Sequence, residues 1–321
     1  MLQKVCVIGS ATWDVFFTTP QAKVGRLKKT DWLMFPYGGK IDARDVRYGF
    51  GGGAANVSVS LSKLGLPVRI ITRLGNDWRA KEVLANLKKF KVDSSLIERD
   101  RYLPTPLSFI ATSGGSRDHV AFIDRAASKN LILPSQLKSD ITWCYLTSLA
   151  NGDWPQATER LFKTMARSGQ KIFWNPGNRQ LMDYKSLSKL LPYLTVLDLN
   201  KEEAESLLKS FHIKFNGLGS LLAGLKKLGP QQIIITDGGA GAYYFDGQRM
   251  LFQPVFRIKP TNTTGAGDAF GSGWLAGYIY SGGNIKQAML WGMRNATSVI
   301  KSVGAQNGLL TKEKMRGLLL S

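Results

Sequence analysis

The stretch NTTGAGDAFGSGWLAGYIY, residues 262–280, places small residues and an acid where an apolar helix is expected to begin. Gly265, Ala266 and Gly267 leave their backbone N–H groups unhindered, and such groups at a helix N-terminus bind anions with help from the helix dipole. Asp268 follows them and could accept a proton from a hydroxyl held nearby. Phosphoryl transfer to an alcohol needs this combination. From spacing alone, a tight turn with Asp268 as an ordinary first-turn acid stays equally open.

A second glycine-rich stretch, GFGGGAANVSVSLSKLG at residues 49–65, also leads into a predicted helix. A dinucleotide-binding G-x-G-x-x-G should directly follow the first strand, whereas these glycines come about forty residues later. A Walker A loop would need Gly-Lys-Ser/Thr, which does not follow them. Close backbone approach at the glycines, together with the side-chain amide of Asn56, instead suits a ligand rich in hydroxyl groups.

Together, the two stretches resemble signatures of the ribokinase-like, or PfkB, family of carbohydrate and nucleoside kinases. NTTGAGD is similar to the C-terminal signature, usually D-T-x-G-A-G-D, and GGGAANVSVSLSKLG is similar to the N-terminal one. The resemblance extends from the first strand to GAQNGLL at residues 304–310. It implies a kinase that uses ATP and Mg²⁺ to phosphorylate a hydroxyl of a sugar or sugar-like small molecule. It also implies an α/β fold with a mostly parallel central sheet, helices on both faces and a small β-lid.

The resemblance implies a role for each matching position on the acceptor side. Asp268 would be the base that deprotonates the acceptor hydroxyl, and the amides of Gly265, Ala266 and Gly267 would stabilise the γ-phosphoryl group. Asp14, after GSATW, matches an early acid that holds sugar hydroxyls. The implied substrate-binding residues are Asp14, Gly52, Gly53 and Asn56.

On the nucleotide side, NKEE at residues 200–203 matches the family's N-x-x-E. An amide and a carboxylate at this spacing share one helix face, where Glu203 could hold Mg²⁺ through water. Without the family context, Glu203 would read as a solvated first-turn acid. TDGGAG at residues 236–241 matches the nucleotide-phosphate loop. The implied cofactor-binding residues are Asn200, Thr236, Gly238, Gly241 and, in the adenine pocket, Asn295.

One position departs from the family pattern, because Asn262 stands where the C-terminal signature usually begins with Asp. In many members that Asp helps to bind a monovalent cation that shapes the anion hole. An amide keeps an oxygen ligand and loses the charge, although SVGAQNG at residues 302–308 retains a carbonyl-rich loop. The resemblance thus implies ATP and Mg²⁺ as cofactors, whereas the loss of charge at Asn262 argues against K⁺.

Apolar periodicity predicts strands that alternate with helices, which indicates βαβ units and one parallel sheet in a single domain over residues 1–321. Two segments, residues 15–50 and 101–125, break the alternation, and the second has a hairpin signal around Gly114 and Gly115. Both segments would form a lid over the carboxyl edge of the sheet, where ligands bind in such folds. The predicted helices are 54–65, 77–90, 155–168, 201–211, 217–228, 267–281, 284–302 and 312–320, and a hairpin is predicted over 241–256.

The formal net charge of +20 raises the question of a nucleic-acid partner. The basic residues form short, scattered clusters, with no arginine-rich tail and no basic stripe interleaved with aromatic residues. We therefore expect an evenly basic surface that attracts an anionic substrate or phosphate product, and no specific nucleic-acid partner. The clusters lie at residues 26–29, 87–91, 225–229 and 312–316.

The remaining features indicate a cytoplasmic protein without a membrane partner. The N-terminal residues lack the apolar core of a signal peptide, and no window holds 18 consecutive apolar residues. Cys6 and Cys144 lie in apolar strand-like runs, which favours buried free thiols, although a disulfide between them stays open. Lids in the family often pair between subunits, so the resemblance also allows a homodimer through the lid.

Three alternative functions stay open at this level. A nucleoside such as adenosine could replace the sugar, and the two lid segments would decide this. Tyr37, Tyr48, Phe109 and Phe122 could stack on a base, but packing within the lid is the simpler expectation. A non-catalytic sugar- or nucleotide-binding regulator is less well supported, because Asp268 and the anion hole are both present. A nucleic-acid binder would show a steep loss of affinity with salt.

Overall fold

The computed structural model describes residues 3–28, 30–114 and 119–317. Strands and helices alternate along most of the chain, and runs of strands over residues 12–51 and 98–124 interrupt the alternation near the two predicted segments. The strands are β1 (Lys4–Ile8), β2 (Thr12–Thr19), β3 (Lys23–Leu27), β4 (Thr30–Met34), β5 (Asp45–Gly51), β6 (Val68–Ile71), β7 (Arg73–Leu74), β8 (Glu98–Arg99), β9 (Leu107–Ser113), β10 (Val120–Asp124), β11 (Ile141–Leu146), β12 (Lys171–Trp174), β13 (Val196–Asn200), β14 (Gln232–Thr236), β15 (Ala242–Phe245) and β16 (Met250–Gln253). The α-helices are α1 (Gly53–Lys63), α2 (Trp78–Lys89), α3 (Trp154–Arg167), α4 (Asn178–Met182), α5 (Tyr184–Ser188), α6 (Lys201–Ser210), α7 (Leu218–Lys227), α8 (Ala266–Tyr280), α9 (Ile285–Val299) and α10 (Lys312–Gly317).

An eight-stranded central sheet has the order β16-β15-β14-β13-β12-β11-β1-β6. Its strands from β14 to β6 pair in parallel, and the predicted hairpin β15–β16 continues the sheet antiparallel. Successive residues of a strand point to opposite faces, so Val5 and Val7 join one apolar cluster and Cys6 and Ile8 join another. Helices α1, α2, α8 and α9 cover the first cluster, and α3, α6 and α7 cover the second. The predicted α/β fold, with helices on both faces of a mostly parallel sheet, is confirmed.

A second sheet, here called the small sheet, has the order β10-β9-β2-β5. Strand β2 begins at Thr12, shortly after β1 ends, so the small sheet is joined to the carboxyl end of a central strand. Both predicted insertions contribute to it, because β2 and β5 flank the first and β9 and β10 form the hairpin of the second. Strands β3 and β4 form a separate two-stranded ribbon within the first insertion. Gly115, predicted at the hairpin turn, lies outside the described residues.

The two cysteines of the central sheet are free thiols, as their apolar strands favour. Cys6 and Cys144 lie opposite each other on β1 and β11, and both thiols are buried and free. Burial raises the pKa of Cys6 to about 12, so its reactive thiolate is scarce at neutral pH. Within the described ranges, no helix has the length and apolar character needed to cross a bilayer. Residues 318–320 of the last predicted helix and Lys29 of a basic cluster fall outside those ranges.

Helices α8 and α9 pack backbone against backbone, because glycine occupies their contact line. A Cβ added at Gly277 would lie 2.9 Å from Trp291 Cβ and 3.0 Å from Ala288 Cα. At Gly273 it would lie 2.8 Å from Trp291 O. Side chains on this line would push apart the helix that carries the GAGD stretch and its neighbour. The glycines of α8 therefore set how deeply the helix sits in the core.

We expect Gly277→Ala to destabilise the protein although alanine favours helix. The new methyl would meet main-chain and Cβ atoms that can move only with α9, and such overpacking costs about 1–3 kcal/mol. Gly219 of α7 is the matched control, because nothing lies within 4 Å of its Cβ position. Gly219→Ala should be neutral or stabilising by up to about 1 kcal/mol. Urea denaturation of both variants measures the difference, and equal midpoints would contradict this account.

Candidate active site

The loop before α8 leaves backbone N–H groups free at the start of a helix. Gly265 has φ 79°, in the left-handed region, and a Cβ there would lie 2.8 Å from Ala305 Cα, so only glycine fits. The N–H of Ala266 closes the turn by donating to Thr263 O at 3.2 Å. Among the described residues, the N–H groups of Gly265 and Gly267 have no partner. Of the three predicted anion-hole amides, two are therefore unused, and the third helps to shape the loop.

Asp268 lies in the first turn of α8 and is held by a residue of the other glycine-rich stretch. Asn56 Nδ2 donates to Asp268 Oδ2 at 2.9 Å. Burial raises the pKa of Asp268 to about 6, and the hydrogen bond from Asn56 limits the rise. The structure thus brings together two residues 212 positions apart in sequence. A carboxylate with this pKa is ionised at neutral pH and can accept a proton.

Asp14 lies on β2 and is the other acid predicted on the acceptor side. It is 3% exposed, and Thr12 Oγ1 donates to its Oδ1 at 2.6 Å. Burial raises the pKa of Asp14, against hydrogen bonds from Thr12 and Ser108 that lower it. A Cβ at Gly51 would lie 2.0 Å from Asp14 Oδ2, so this glycine makes room for the carboxylate.

The predicted substrate glycines, Gly52 and Gly53, pack closely against the chain itself. Gly52 has φ 83°, and a Cβ there would lie 2.6 Å from Ser10 O. At Gly53 a Cβ would lie 2.8 Å from Thr147 Cβ. The absence of side chains therefore lets the start of α1 dock onto the carboxyl ends of β1 and β11. This packing sets the position of Asn56 one turn later.

A cavity of about 610 Å³ lies beside the loop at residues 263–267, which is called the anion-hole loop after its predicted role. Four of the predicted cofactor residues line it, namely Asn200, Thr236, Gly238 and Gly241, together with Ala266 and Gly267. The remaining wall is largely apolar, and includes Val255, Phe256, Phe270, Met293, Ala296 and Ile300. A cavity of this size with a mostly apolar wall and polar backbone at one end is typical of a small-molecule site.

Asn295 does not line this cavity, which corrects the prediction that placed it in the adenine pocket. Its side chain is fully buried, where Nδ2 donates to Ser60 Oγ at 2.9 Å and to Ala269 O at 2.8 Å. Its Oδ1 accepts from Leu310 N at 3.1 Å. The cavity face of α9 instead carries Met293, Ala296, Thr297 and Ile300, which recur at helical spacing. Asn295 lies off that face and joins α9 to α1 and α8.

The N-x-x-E motif forms a reciprocal capping box at the start of α6. Asn200 Oδ1 accepts from Glu203 N at 2.8 Å, and Glu203 Oε2 accepts from Asn200 N at 2.9 Å. Burial raises the pKa of Glu203. The two side chains are thus fixed at the edge of the sheet, and each keeps one polar atom outside the capping box.

Asp198, which the sequence analysis missed, lies on β13 two residues before the motif. It is 2% exposed, and no described residue donates a hydrogen bond to its carboxylate. Burial raises its pKa well above the ordinary value, and the carboxylates of Glu203 and Asp268 add to the effect. A buried acid without a donor is a group that a cation would stabilise. Its signal in the sequence was an acid inside an otherwise apolar strand, VLDLN.

Asn262, the departure from the family signature, is buried before the anion-hole loop. Its Oδ1 accepts from Thr264 N at 2.9 Å, which makes a local turn. Its backbone N–H donates to Ile300 O at 3.3 Å. The amide oxygen therefore already serves the loop that leads to Gly265.

The phosphate-loop match, residues 236–241, is held at the carboxyl end of β14. Asp237 N donates to Gly241 O at 2.8 Å, and Asp237 Oδ2 accepts from Lys201 Nζ at 2.8 Å. Gly241 has φ 125°, and a Cβ there would lie 2.5 Å from Gln253 O. Glycine at this position lets the loop turn back into β15 beside the cavity.

Comparisons with known proteins identify the family and the fold. Residues 2–312 match the pfkB family carbohydrate kinase domain. A ribokinase of Bacillus subtilis is 24% identical over 332 residues, which cover 99% of this chain and 100% of that protein. The structure of a Methanocaldococcus jannaschii nucleoside kinase has a TM-score of 0.80 at 21% identity and covers 99% of this chain and 98% of that one. Arabidopsis thaliana ribokinase, complexed with ribose and ATP, has a TM-score of 0.80 at 19% identity and covers 99% of both chains.

The structural matches establish a shared fold, and the domain match spans the anion-hole loop, the cavity and both glycine-rich stretches. Since that match covers nearly the entire chain, the protein belongs to the pfkB family of carbohydrate kinases, phosphotransferases that act on an alcohol group.

Proposed function

We propose that this chain transfers the γ-phosphoryl group of ATP to a hydroxyl of a sugar, with Asp268 as the base. The observation that carries the proposal is the position of Asp268. It follows an anion-hole loop that lines a nucleotide-sized cavity, and it is hydrogen-bonded to Asn56 of the other glycine-rich stretch. Relatives of this chain include kinases of ribose-type sugars and of nucleosides.

In the proposed reaction, the acceptor hydroxyl gives its proton to the Asp268 carboxylate. The hydroxyl oxygen forms a bond to the γ-phosphorus as the bond between that phosphorus and the β–γ bridging oxygen breaks, and ADP leaves. Negative charge on the transferring group would be met by the free N–H groups of Gly265 and Gly267, aided by the dipole of α8. These donors are fixed before the reaction, because the loop is locked against Ala305.

The nucleotide would occupy the cavity with its phosphates toward the anion-hole loop. Thr236, Gly238 and Gly241 surround the polar end, and the apolar wall would face the base. The donor set also fits Mg²⁺, because the Asp198 carboxylate is buried, receives no hydrogen bond from any residue that the structure describes, and lies near Glu203. Asp198 and Glu203, through water, would hold the ion. Bound Mg²⁺ supplies positive charge to the phosphate oxygens.

Strand register favours a sugar over a nucleoside as the acceptor. Asp14 pairs with Gly49 and Ser108, which therefore share its face of the small sheet. Tyr48 and Phe109 both pair with Val15, so they lie on the opposite face. Neither ring could stack on a base held at Asp14. The polar groups beside Asp14 suit the hydroxyls of a sugar.

The same register leaves an apolar face on the small sheet, and we propose that a second copy of this chain covers it. Tyr48 is 67% exposed and Phe122 is 56% exposed, and both lie on the face opposite Asp14. Monomeric proteins rarely expose adjoining large apolar side chains of this kind. The face runs across all four strands, because Val15 of β2 lies between Tyr48 of β5 and Phe109 of β9, and Phe109 pairs with Phe122 of β10. This continuity fits a sheet-to-sheet interface.

Asp268→Asn should lower kcat about 10²–10⁴-fold, because an amide cannot take the proton of the acceptor hydroxyl. ATP affinity should change little, since Asp268 does not line the nucleotide cavity. Wild-type activity should fall as the pH drops through about 6, where Asp268 becomes protonated, and this limb should be absent from the variant. Asp183→Asn is the control, because asparagine can still cap α5 and Asp183 does not line the nucleotide cavity. An unchanged kcat in Asp268→Asn would exclude the assigned base.

A coupled ADP-release assay over sugars, sugar phosphates and nucleosides should give the highest kcat/KM with a sugar. Activity only with nucleosides would instead identify a nucleoside kinase, and no activity with any acceptor would favour a binding protein. Repeating the assay with and without K⁺ tests the role of Asn262. We expect a small K⁺ effect, and a larger one in Asn262→Asp, because a carboxylate attracts the cation more strongly than an amide.

Sedimentation velocity should show a dimer at micromolar concentration. Tyr48→Lys and Phe122→Lys should each shift the protein to monomer, because a charge cannot be buried in an apolar interface without a partner. Met182→Lys is the matched control, since Met182 is 83% exposed on α4, away from the small sheet. A wild-type monomer, or dimers in all variants, would overturn the assigned interface.

A further inference from the structure

Three buried side-chain amides form an unbranched hydrogen-bonded chain that ends on Asp268. Asn86 Nδ2 donates to Gln306 Oε1 at 2.8 Å, and Gln306 Nε2 donates to Asn56 Oδ1 at 3.1 Å. Asn56 Nδ2 then donates to Asp268 Oδ2 at 2.9 Å. The chain joins α2, the loop at residues 302–308, α1 and α8. From the sequence, Asn56 is expected in the substrate site and Gln306 only within the carbonyl-rich loop at residues 302–308, and no role is expected for the side chains of Gln306 and Asn86.

The carboxylate at the end fixes the direction of every bond in the chain. An ionised carboxylate only accepts, so Asn56 must turn its N–H toward Asp268 and its oxygen toward Gln306. Gln306 must then offer N–H to Asn56, and its oxygen faces Asn86. Asn86 then donates an N–H to the Gln306 oxygen and ends the hydrogen-bonded chain. Each amide can satisfy its neighbours in this one orientation, because reversal of any member would set two acceptors or two donors against each other.

We propose that Gln306, itself fixed by Asn86, is a positioning residue for phosphoryl transfer that orients the Asn56 amide so that an N–H faces Asp268. The inference rests on the proposed role of Asp268 as the base. With Asn56 in this orientation, its N–H stabilises the ionised carboxylate of Asp268 and holds that carboxylate in one orientation. With Asn56 reversed, the amide oxygen would face Asp268 Oδ2, which would favour the protonated acid and remove the base.

No other described group can replace the Asn56 hydrogen bond. The titratable groups on neighbouring elements that interact with the Asp268 charge are Asp198 on β13 and Tyr145 on β11, and Asp268 raises the pKa of both. Asp198 carries negative charge when ionised and so opposes ionisation of Asp268. Within the described residues, no Lys or Arg forms an ion pair with Asp268. Ionisation of the base therefore depends on one amide whose orientation depends on Gln306.

The loop that carries Gln306 also supports the anion hole. Ala305, its neighbour, lies against Gly265, where a Cβ would come within 2.5 Å of Ala305 Cβ. Ala305 of this loop thus contacts the anion-hole loop, and Gln306 of the same loop orients the Asn56 amide that is hydrogen-bonded to Asp268. A displacement of this loop would disturb both sets of groups together.

The test measures the Asp268 pKa directly, by NMR titration of ¹³C-labelled aspartate carboxyls, with the signal assigned by its loss in Asp268→Asn. Gln306→Glu places an acceptor where Asn56 needs a donor, so Asn56 should reverse and the Asp268 pKa should rise by about one to two units. Gln306→Met removes the donor without adding charge, so the pKa of Asp268 should rise less in this variant than in Gln306→Glu. Asn86→Asp should shift the pKa in the same direction by reversing Gln306.

Asn307→Asp is the matched control for added charge. Asn307 lies in the same loop and is exposed, and its side chain donates to Val303 O at 2.7 Å and to none of the three amides. The pKa of Asp268 in the Asn307→Asp variant should match its value in the wild type. Thermal unfolding confirms that each variant is folded. If Gln306→Met leaves the pKa unchanged, or if Asn307→Asp raises it as much as Gln306→Glu does, the positioning role is wrong.

The acid limb of kcat/KM for the accepted sugar gives a second readout. It should move upward with the NMR pKa, while KM for ATP stays near its wild-type value. An NMR shift in a protein that phosphorylates no acceptor would support the amide chain and overturn the proposed function. Turnover with an acid limb that is unmoved in Gln306→Glu and Gln306→Met would overturn the amide chain and leave the proposed function in place.

Discussion

The hydrogen bond between Asn56 and Asp268 joins the first turns of two helices, and the rest of the site depends on where it holds them. One turn further along, Ser272 Oγ donates to Ser60 Oγ at 2.7 Å. Asn295 adds a donor to the same Ser60 oxygen. Buried polar groups need partners, so a slip of α8 by one residue would leave several of them unsatisfied. This polar seam between α1 and α8 sets the register of α8 and thereby the place of the base.

Glycine then decides how close the other parts can come. Gly265 leaves space for Ala305, and a Cβ at Gly271 would lie 2.1 Å from the Tyr145 hydroxyl and 2.9 Å from Asp198 Oδ2. Each glycine within a helix lowers its intrinsic stability by about 1 kcal/mol relative to alanine. Helix α8 is thus a poor helix by propensity, held by burial on nearly every side. The same lack of side chains that weakens it supplies the free N–H groups and the room that the acids need.

Sequence patterns predicted most of the features that depend on residues close together in the chain. Strand and helix periodicity gave the central sheet, and the glycines before α8 gave the unhindered turn at its start. Where a residue serves long-range packing, the sequence could mislead. The family pattern predicts Asn295 in the nucleotide pocket, but its position on α9 directs the side chain into the core. Gln306 could not be found from sequence, because its partners Asn56 and Asn86 lie 250 and 220 residues away. The spacing of Asn200 and Glu203 fits two interpretations, because a helix capping box and the family's N-x-x-E motif have the same spacing.

Two acids, Asp268 and Asp198, lie near each other, and their surroundings explain why only one of them is suited to be a base. Both pKa values are raised by burial. Asp268 has an amide donor on its carboxylate, which keeps its pKa at about 6 and its charged form dominant at neutral pH. Asp198 has no donor among the described residues, so its charged form is favourable only beside a cation. Different hydrogen bonding thus assigns proton transfer to one carboxyl and leaves the other for positive charge, as expected where neighbouring acids serve different roles. The Asn56 N–H and the lack of a neighbouring carboxylate among the causes that shift its pKa both favour the charged form of Asp268, whereas Glu203 and Asp268 oppose the charged form of Asp198.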